Sequence, residues 1–239
     1  MLTVLLLSLT ALITSTVAGV IGLGGGMLLI AVLPVYLPPA AVVPVHGITQ
    51  LASNSSRTLF ALRAVEWRFV PQFVFGSLVG IAVVTLLLLN IPTRYIPVFI
   101  GSYILLSLWL PTFNQLVKRY ETFYLAGAFQ SGLGLLVGAT GPLTTTLLTK
   151  QQLDKDRIVA TNALFMSFSH FCKIIVFGII GFSFGQYGWL MVGMIIGAIL
   201  GSYIGTQLRR RIDGKRFVWV LKLVLTALAV RMLYGALLS

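Results

Sequence analysis

Apolar residues fill the chain in long blocks, which are interrupted by short groups of glycine, proline, asparagine and charged residues. Blocks of this length predict helices, and the breaks between them mark the helix ends. Four prolines are expected to bracket the first long loop: Pro34, Pro38, Pro39 and Pro44. The pattern predicts ten helices, at residues 1–19, 25–36, 44–62, 69–89, 95–112, 121–138, 141–149, 157–177, 187–208 and 216–238.

The first apolar block contains a break that changes how it must fold. As a single helix, residues 2–37 would be about 54 Å long, whereas the hydrocarbon core of a bilayer is about 30 Å thick. Near the middle of this block, residues 22–26 read Gly-Leu-Gly-Gly-Gly. The chain therefore either folds back there, as a hairpin or a pair of short helices, or lies largely outside the membrane.

This break and the helix after it recur once in the chain, at a constant shift of 116 residues. The matched pairs are Gly22 with Gly138, Gly25 with Gly141, His46 with Asn162, Ser53 with Ser169, Asn54 with His170, and Arg57 with Lys173. Corresponding broken segments in two halves of a membrane protein indicate a transport site near the bilayer middle. The pattern predicts two membrane repeats, residues 1–116 and 117–239. Chance matches of glycine and serine are the alternative, because strict identities are few.

The composition assigns the chain to the membrane. Of its 239 residues, 58% are hydrophobic and only 9% are charged, and the mean hydropathy is +0.99. Soluble domains carry about 25% charged residues, so we expect a polytopic membrane protein without a sizeable soluble domain. The net charge is +12, but the basic residues lie mostly in short loops without interleaved aromatic residues, which argues against nucleic-acid binding. Because Cys172 is the single cysteine, no disulfide or thiol cluster forms within one chain.

The distribution of basic residues over the loops predicts how the helices cross the membrane. If each broken segment crosses once, the thirteen loop cations split four against nine; if each turns back, twelve lie on one face and only Arg94 lies opposite. The positive-inside rule favours the second count. Each half then crosses an odd number of times, with both termini outside the cytoplasm and residues 114–121 inside. The predicted fold is an all-α polytopic membrane protein of two inverted repeats, each of about four to five helices with a Gly-broken or re-entrant first segment.

Charged residues inside the predicted helices are all basic. The acidic residues fall in loops or at loop edges: Glu66, Glu121, Asp154, Asp156 and Asp213. The membrane therefore lacks the carboxylates that usually carry protons or sodium ions in pumps. Lys222 and Arg231 lie near helix ends and can reach the interface, and Arg57 is close enough to the cytoplasmic end to do the same. Lys173 is the stronger candidate for a functional cation.

A polar stripe precedes each matched cation. In the first half the stripe lies on one helical face and comprises His46, Gln50, Asn54 and Arg57. In the second half it comprises Asn162, Ser169, His170 and Lys173. Facing lipid, such stripes would be costly, so we expect them to face each other or a water-filled cavity. Hydrogen bonding that only holds helices together is the alternative.

The glycine breaks add donors to the predicted site. Where a helix restarts after a break, its first N–H groups are free and its dipole is positive, which attracts an anion. Threonine hydroxyls lie beside the second break. The predicted substrate-binding residues are Gly24, Gly25, Gly26, His46, Gln50, Asn54, Arg57, Thr140, Gly141, Thr144, Asn162, Ser169, His170 and Lys173.

Four segments resemble the sulfite exporter TauE/SafE family, also described as sulfite and organosulfonate permeases. They read GVIGLGGG at residues 19–26, VPVHGITQLASNSSR at 43–57, GLLVGATGP at 134–142 and GAILGSYIG at 197–205 before a run of arginines. The resemblance covers nearly the whole chain and includes the order of the motifs. It implies small sulfur-containing anions as substrates, such as sulfite, sulfonates or sulfoacetate, and residence in a bacterial inner membrane. The second half has Ala139-Thr140 where the first has Leu23-Gly24, so equal contributions from the halves do not follow.

Together these patterns predict a multi-pass secondary transporter that exports a small sulfur-containing anion through a site between the repeats. The expected partners are the anionic substrate and the lipid bilayer, and a homodimer is compatible with the sequence. Neither a cofactor nor a metal is expected, and no residue is assigned a catalytic role. An anion channel, a membrane scaffold subunit and an intramembrane hydrolase with a serine–histidine pair across helices are the alternatives.

Overall fold

The computed structural model describes residues 1–22, 24–110, 122–140, 142–209 and 214–237. Within these ranges the chain forms α-helices joined by loops and short 3-10 turns, and no strand occurs there. The helices are α1 (Leu2–Ile21), α2 (Gly25–Val32), α3 (Pro39–Phe60), α4 (Val70–Leu88), α5 (Ile96–Trp109), α6 (Phe123–Val137), α7 (Pro142–Lys150), α8 (Lys155–Ile179), α9 (Gly188–Leu208) and α10 (Gly214–Leu237). The predicted all-α fold is confirmed. The midpoint loop, residues 114–121, lies outside the described residues.

The prediction that the third helix begins at Pro44 is wrong, because α3 already begins at Pro39. Proline at the first helical position costs nothing, since its missing N–H would have no intrahelical partner there. Pro44 removes one N–H bond inside the helix. The carbonyl that loses this bond belongs to Ala40, an exposed residue, so water or a lipid headgroup can satisfy it.

Both broken segments turn back at a matched glycine. The N–H of Gly22 donates to the carbonyl of Ala18, and that of Gly138 donates to Gly134. These glycines have φ angles of +90° and +75°, a left-handed conformation that residues with a Cβ adopt only under strain. After the first turn, Gly25 lies so close to Thr14 that a Cβ would fall 2.0 Å from the Thr14 carbonyl oxygen. The helix α2 therefore starts beside the last turns of α1.

Among the described residues, five helical stretches are long and apolar enough to cross a membrane: Leu2–Ile21, Trp67–Leu88, Lys155–Ile179, Phe184–Leu208 and Trp219–Ala236. Large apolar side chains on α4, such as Phe75, Leu78 and Val83, are more than half exposed on the outside of the bundle. The helix α3 is not among the five stretches, and it buries His46, Gln50 and Asn54 in the interior. The bundle thus presents an apolar outside and a polar centre, as expected for a polytopic membrane protein.

Two helix pairs pack through glycine in the same way. In the pair α1–α9, a Cβ on Gly201 would fall 2.2 Å from the Leu12 carbonyl oxygen, and one on Gly205 would fall 2.4 Å from that of Thr16. The pair α4–α6 matches it, since a Cβ on Gly80 would fall 2.0 Å from the carbonyl oxygen of Ala128. Small residues allow such close approach, and Gly76, Gly193 and Gly197 make similar contacts in the two pairs. The 116-residue shift relates α1 to α6 and α4 to α9. The pairs α1–α9 and α4–α6 are therefore equivalent contacts.

In two further pairs, a helix packs against its own counterpart in the other half, as related by the 116-residue shift. The two helices of each pair run antiparallel. In α3–α8, the rings of His46 and His170 lie 5.6 Å apart, while Glu66, just beyond the end of α3, donates its N–H to Thr161 near the start of α8. In α5–α10, Gly101 lies against Leu233, and the Trp109 indole N–H donates to the Thr226 hydroxyl at 2.9 Å. Antiparallel packing of equivalent helices places the two stripes face to face, as the sequence predicted.

Candidate functional site

A cavity of about 40 Å³ lies between the two broken segments. Both halves line it, with Ala18, Gly22, Gly24, Gly25, Gly26, Met27, Gln50, Asn54 and Arg57 from the first and Ala139, Thr140, Asn162, Met166 and His170 from the second. One water molecule needs about 10–15 Å³ of such space. The cavity is therefore on the scale of an ion with a few heavy atoms, and far below the roughly 300 Å³ at which pockets for larger organic ligands begin.

Residues of the first half that line this cavity carry unpaired donors. The Asn54 amide donates to the backbone carbonyl of Gln50 at 2.7 Å and lies 3.3 Å from the Gln50 side-chain oxygen. That leaves Nε2 of Gln50 without a hydrogen-bond partner among the described residues, although the side chain is only 3% exposed. At the start of α2, the first backbone N–H groups also lack intrahelical partners. These groups are N–H donors, which suit an anion.

Arg57 provides the charge on this side. Its Nη2 donates to the hydroxyl of Ser53 at 3.0 Å, one turn back along α3, and its Nε has no partner in the described part of the chain. The side chain is only 2% exposed. Arg57 therefore does not reach the interface, although its position near the end of α3 would have allowed it. A bond to the hydroxyl at i−4 turns the guanidinium back into the bundle, where it lines the cavity.

The second half contributes a network centred on a residue that the sequence analysis missed. Gln130, fully buried on α6, accepts hydrogen bonds from the backbone N–H and the hydroxyl of Thr144, at 3.2 and 2.7 Å. Its backbone carbonyl accepts from Thr140 at 2.9 Å. The Thr144 hydroxyl also contacts the side-chain oxygen of Asn162. Gln130 thus fixes the second break against α6, and a lone amide in an apolar helix was the signal that could have identified it.

Lys173 and His46 lie behind the breaks and do not line the cavity. The Lys173 ammonium donates to the carbonyl of Gly138 at 2.6 Å and lies 3.3 Å from Nδ1 of His170. His46 uses Nε2 to donate to the carbonyl of Gly26 at 3.0 Å. Because a carbonyl only accepts, the hydrogen of neutral His46 is on Nε2, and Nδ1 is left as an acceptor without a partner among the described residues.

Serines form hydrogen bonds between helices rather than lining the cavity. Ser169 lies 2.6 Å from the hydroxyl of Ser131, which donates to Ser77 at 2.8 Å and so connects α8, α6 and α4. At the equivalent place in the first half, Ser53 lies 3.0 Å from Ser202 of α9. Of the predicted site residues, His46, Thr144, Ser169 and Lys173 are outside the cavity lining, and Gly141 lies outside the described residues.

The described acidic residues lie away from the cavity, at one end of the bundle. Arg157 pairs with Glu66 and with Asp154, and Arg209 pairs with Asp156 at 3.0 Å. In the described ranges no group of three His, Cys, Asp or Glu side chains could hold a metal ion. The cavity therefore combines buried N–H donors with a cation, and no described carboxylate lines it.

A larger groove of about 1040 Å³ opens elsewhere, between the ends of α2, α5 and α10. Arg94 and Arg231 are its charged residues, and the rest of its lining is mostly apolar. None of the repeat-matched polar residues contributes to it. Size alone would select this groove, but the buried donors and the matched residues select the smaller cavity.

The fold and this cavity define a polytopic membrane protein with a small site lined by residues of both halves. A family model, sulfite exporter TauE/SafE, matches residues 7–232. The chain therefore belongs to the TauE/SafE family of membrane transporters, as its motifs predicted. Searches of curated proteins and of solved structures found no match.

Proposed function

We propose that the protein is a secondary transporter that exports a small sulfur-containing oxyanion, sulfite or an organosulfonate, through the cavity between the two breaks. The observation that carries this proposal is the pair of buried, unpartnered donors, Nε2 of Gln50 and Nε of Arg57, on a cavity without a described carboxylate. A buried donor without a partner costs about 1–3 kcal/mol. An oxyanion accepts from such donors and removes that cost, and sulfur oxyanions are the substrates that the family's description indicates.

The two halves are inverted repeats in this proposal. Antiparallel packing of the equivalent pairs α3–α8 and α5–α10 supports it, because repeats related by an axis in the membrane plane must run in opposite directions. Rocking of one half against the other would then open the cavity first to one side and then to the other. The protein would reside in a bacterial inner membrane, with the loops around Arg63, Arg157 and Arg209 in the cytoplasm.

Cysteine labelling tests this orientation. Arg63 and Arg94 are both exposed, and they lie on opposite faces in the proposed topology. In intact spheroplasts, a membrane-impermeant maleimide should label an Arg94→Cys variant and leave Arg63→Cys unlabelled until the membrane is permeabilised. The Cys172→Ser background removes the native thiol. Labelling of Arg63→Cys from outside would contradict the proposed topology.

The proposed direction, export, follows from the lack of a described carboxylate that could bind a coupling ion at the cavity. An anion that moves without a coupling ion experiences only its own gradient and the membrane potential, which at about 100 mV, inside negative, drives each negative charge outward by roughly 2.3 kcal/mol. Since no described carboxylate lines the cavity, proton-coupled uptake would have to use His46 or His170. Both histidines are buried.

The hydrolase alternative lacks the contacts that it needs. Among the described residues, the hydrogen bonds of His46 and His170 go to Gly26 and Lys173, and neither histidine bonds a serine. Ser169 bonds Ser131 and the backbone carbonyl of Phe165. A serine nucleophile needs a base within hydrogen-bond reach, so the transporter has the stronger support.

A counterflow assay tests the proposed substrate class. Proteoliposomes loaded with unlabelled sulfite should accumulate radiolabelled sulfite transiently, and external sulfoacetate or methanesulfonate should compete. Acetate and chloride should compete weakly. Replacing Arg57 should reduce this flux. Arg68→Gln is the matched control for an Arg57→Gln variant, because it removes the same charge from a side chain that is 62% exposed. An unsaturable flux would indicate a channel, and no flux above protein-free liposomes would contradict the proposal.

A further inference from the structure

A second arginine lies buried beside Arg57. Arg209 terminates α9 and is only 5% exposed, although a residue that precedes a loop would normally extend into water. The helices α3 and α9 are joined by the hydrogen bonds between Ser53 and Ser202. Arg57 follows Ser53 by four residues and Arg209 follows Ser202 by seven, so both guanidinium groups lie along the same contact. Arg57 also donates to the Ser53 hydroxyl, which itself lies 3.0 Å from that of Ser202.

Each arginine has one N–H donor without a hydrogen-bond acceptor among the described residues. Arg209 donates from Nε to the carbonyl of Gly19 at 2.8 Å and from Nη1 to Asp156 at 3.0 Å. Its Nη2 is buried without a partner among the described residues, as is Nε of Arg57. Two unsatisfied donors on two like charges are unfavourable, because each lost hydrogen bond and the mutual repulsion both cost free energy.

One carboxylate stands opposite these two cations. Asp156 is half exposed and pairs with Arg209 only. Glu66 and Asp154, the other described acids at this end, pair with Arg157. The arginine pair therefore has an excess of one positive charge in a buried position, and charge-assisted bonds from guanidinium to an oxyanion are among the strongest in proteins.

We propose that Arg57 and Arg209 together form a two-arginine oxyanion site at the basic end of the bundle, and that Asp156 competes with the anion for Arg209. The site rests on the proposed function, and it adds a binding residue and a competitor to it. A small oxyanion arriving from the cytoplasmic side binds Nη2 of Arg209 and Nε of Arg57 and reaches the cavity that Arg57 lines. Asp156 holds Arg209 in place when no anion is bound and is displaced, in part, by the anion's negative charge.

Calorimetric titration of the purified full chain with sulfite tests the site. Asp156→Asn removes the competitor and should tighten sulfite binding about two- to fivefold, since a half-exposed ion pair contributes up to about 1 kcal/mol. Arg209→Gln should weaken binding about tenfold or more, because it removes a charge-assisted hydrogen bond. In the Arg209→Gln background, Asp156→Asn should bring no gain.

Asp154→Asn is the matched control. It removes the same charge from the same helix end, but Asp154 pairs with Arg157, and asparagine also caps helices well. Its dissociation constant should equal that of the wild type. Melting temperatures measured without sulfite separate binding from structure: a purely structural ion pair predicts a lower melting temperature for Asp156→Asn and an unchanged sulfite affinity.

The two proposals fail in different ways. If the wild type binds no sulfite or sulfonate at all, the proposed function is contradicted, and the two-arginine site with it. If the wild type binds sulfite and Asp156→Asn leaves the affinity unchanged, or tightens it equally when Arg209 is absent, only the two-arginine site is overturned.

Discussion

The two cations that the repeat relates, Arg57 and Lys173, are equally buried but differ in what their N–H groups contact. Each is 2% exposed. Lys173 donates to the carbonyl of Gly138 and lies beside Nδ1 of His170, so its hydrogen-bonding capacity is largely used within the protein. Arg57 lines the cavity, donates to one hydroxyl, and has an Nε without a partner among the described residues.

This difference shows that one sequence position can serve two purposes in two repeats. In the second half the cation holds the carbonyl at the end of α6 and so fixes the break. In the first half the equivalent cation keeps an unpartnered Nε, and the proposed function assigns it to the ligand. A duplicated chain can therefore divide anchoring and binding between its halves, and the predictions below test that division.

The largest expected effect is on anion affinity when Arg57 is replaced. Arg57→Gln should weaken sulfite binding about 10- to 100-fold, because hydrogen bonds to charged groups contribute about 1.5–3 kcal/mol each. Calorimetric titration measures the change, with Arg68→Gln as the control of equal charge. The melting temperature of Arg57→Gln should not fall, since removal of a buried unpaired charge relieves a cost. Wild-type affinity in Arg57→Gln would contradict the division.

A smaller effect on affinity and a larger one on stability are expected for Lys173. Lys173→Met leaves the Gly138 carbonyl and Nδ1 of His170 without their donor, which should lower the free energy of unfolding by about 1–3 kcal/mol. Sulfite affinity should fall less than tenfold, because the ammonium acts on the cavity only through its field and through the position of the break. Thermal denaturation in detergent and calorimetry measure the two quantities. If Lys173→Met loses binding as completely as Arg57→Gln and melts like the wild type, the roles assigned to the two cations are wrong.

The smallest effects come from two serines at equivalent positions. Ser53→Ala removes the hydroxyl that accepts from Arg57 and should weaken sulfite binding about two- to tenfold, the range for one hydrogen bond. Ser169→Ala should leave the affinity unchanged and lower stability slightly, since Ser169 only joins α8 to α6. Equal losses of affinity in both variants would remove the distinction between the halves.

The sequence predicts the helices and the pairing of the stripes well, because both depend on local pattern and on the repeat. Apolar blocks and glycine breaks place the helix ends within a few residues, except at Pro44, where an exposed carbonyl lets α3 start early. The sequence does not predict the roles of the residues on the stripes. Whether Arg57 or Lys173 keeps a free donor depends on the carbonyl of Gly138, which reaches Lys173 only through the packing of α6 on α8.

The repeat did not mark two residues at the site, Arg209 and Gln130. Arg209 is indistinguishable in the sequence from the arginines that follow it, and only the contact between α3 and α9 brings it beside Arg57. Gln130 has no polar counterpart one repeat away other than the short side chain of Thr14, so the repeat does not mark it. Both roles are products of tertiary contacts rather than of spacing along a helix.

The most direct test of the account is sulfite flux at fixed pH under an imposed membrane potential. Proteoliposomes loaded with radiolabelled sulfite, with valinomycin and an outward potassium gradient, acquire an inside-negative potential. The account predicts saturable sulfite efflux that increases with this potential, falls in Arg57→Gln, and persists in the double variant His46→Gln with His170→Gln. Sulfite uptake against the potential, driven by a pH gradient and lost in the double variant, would contradict it.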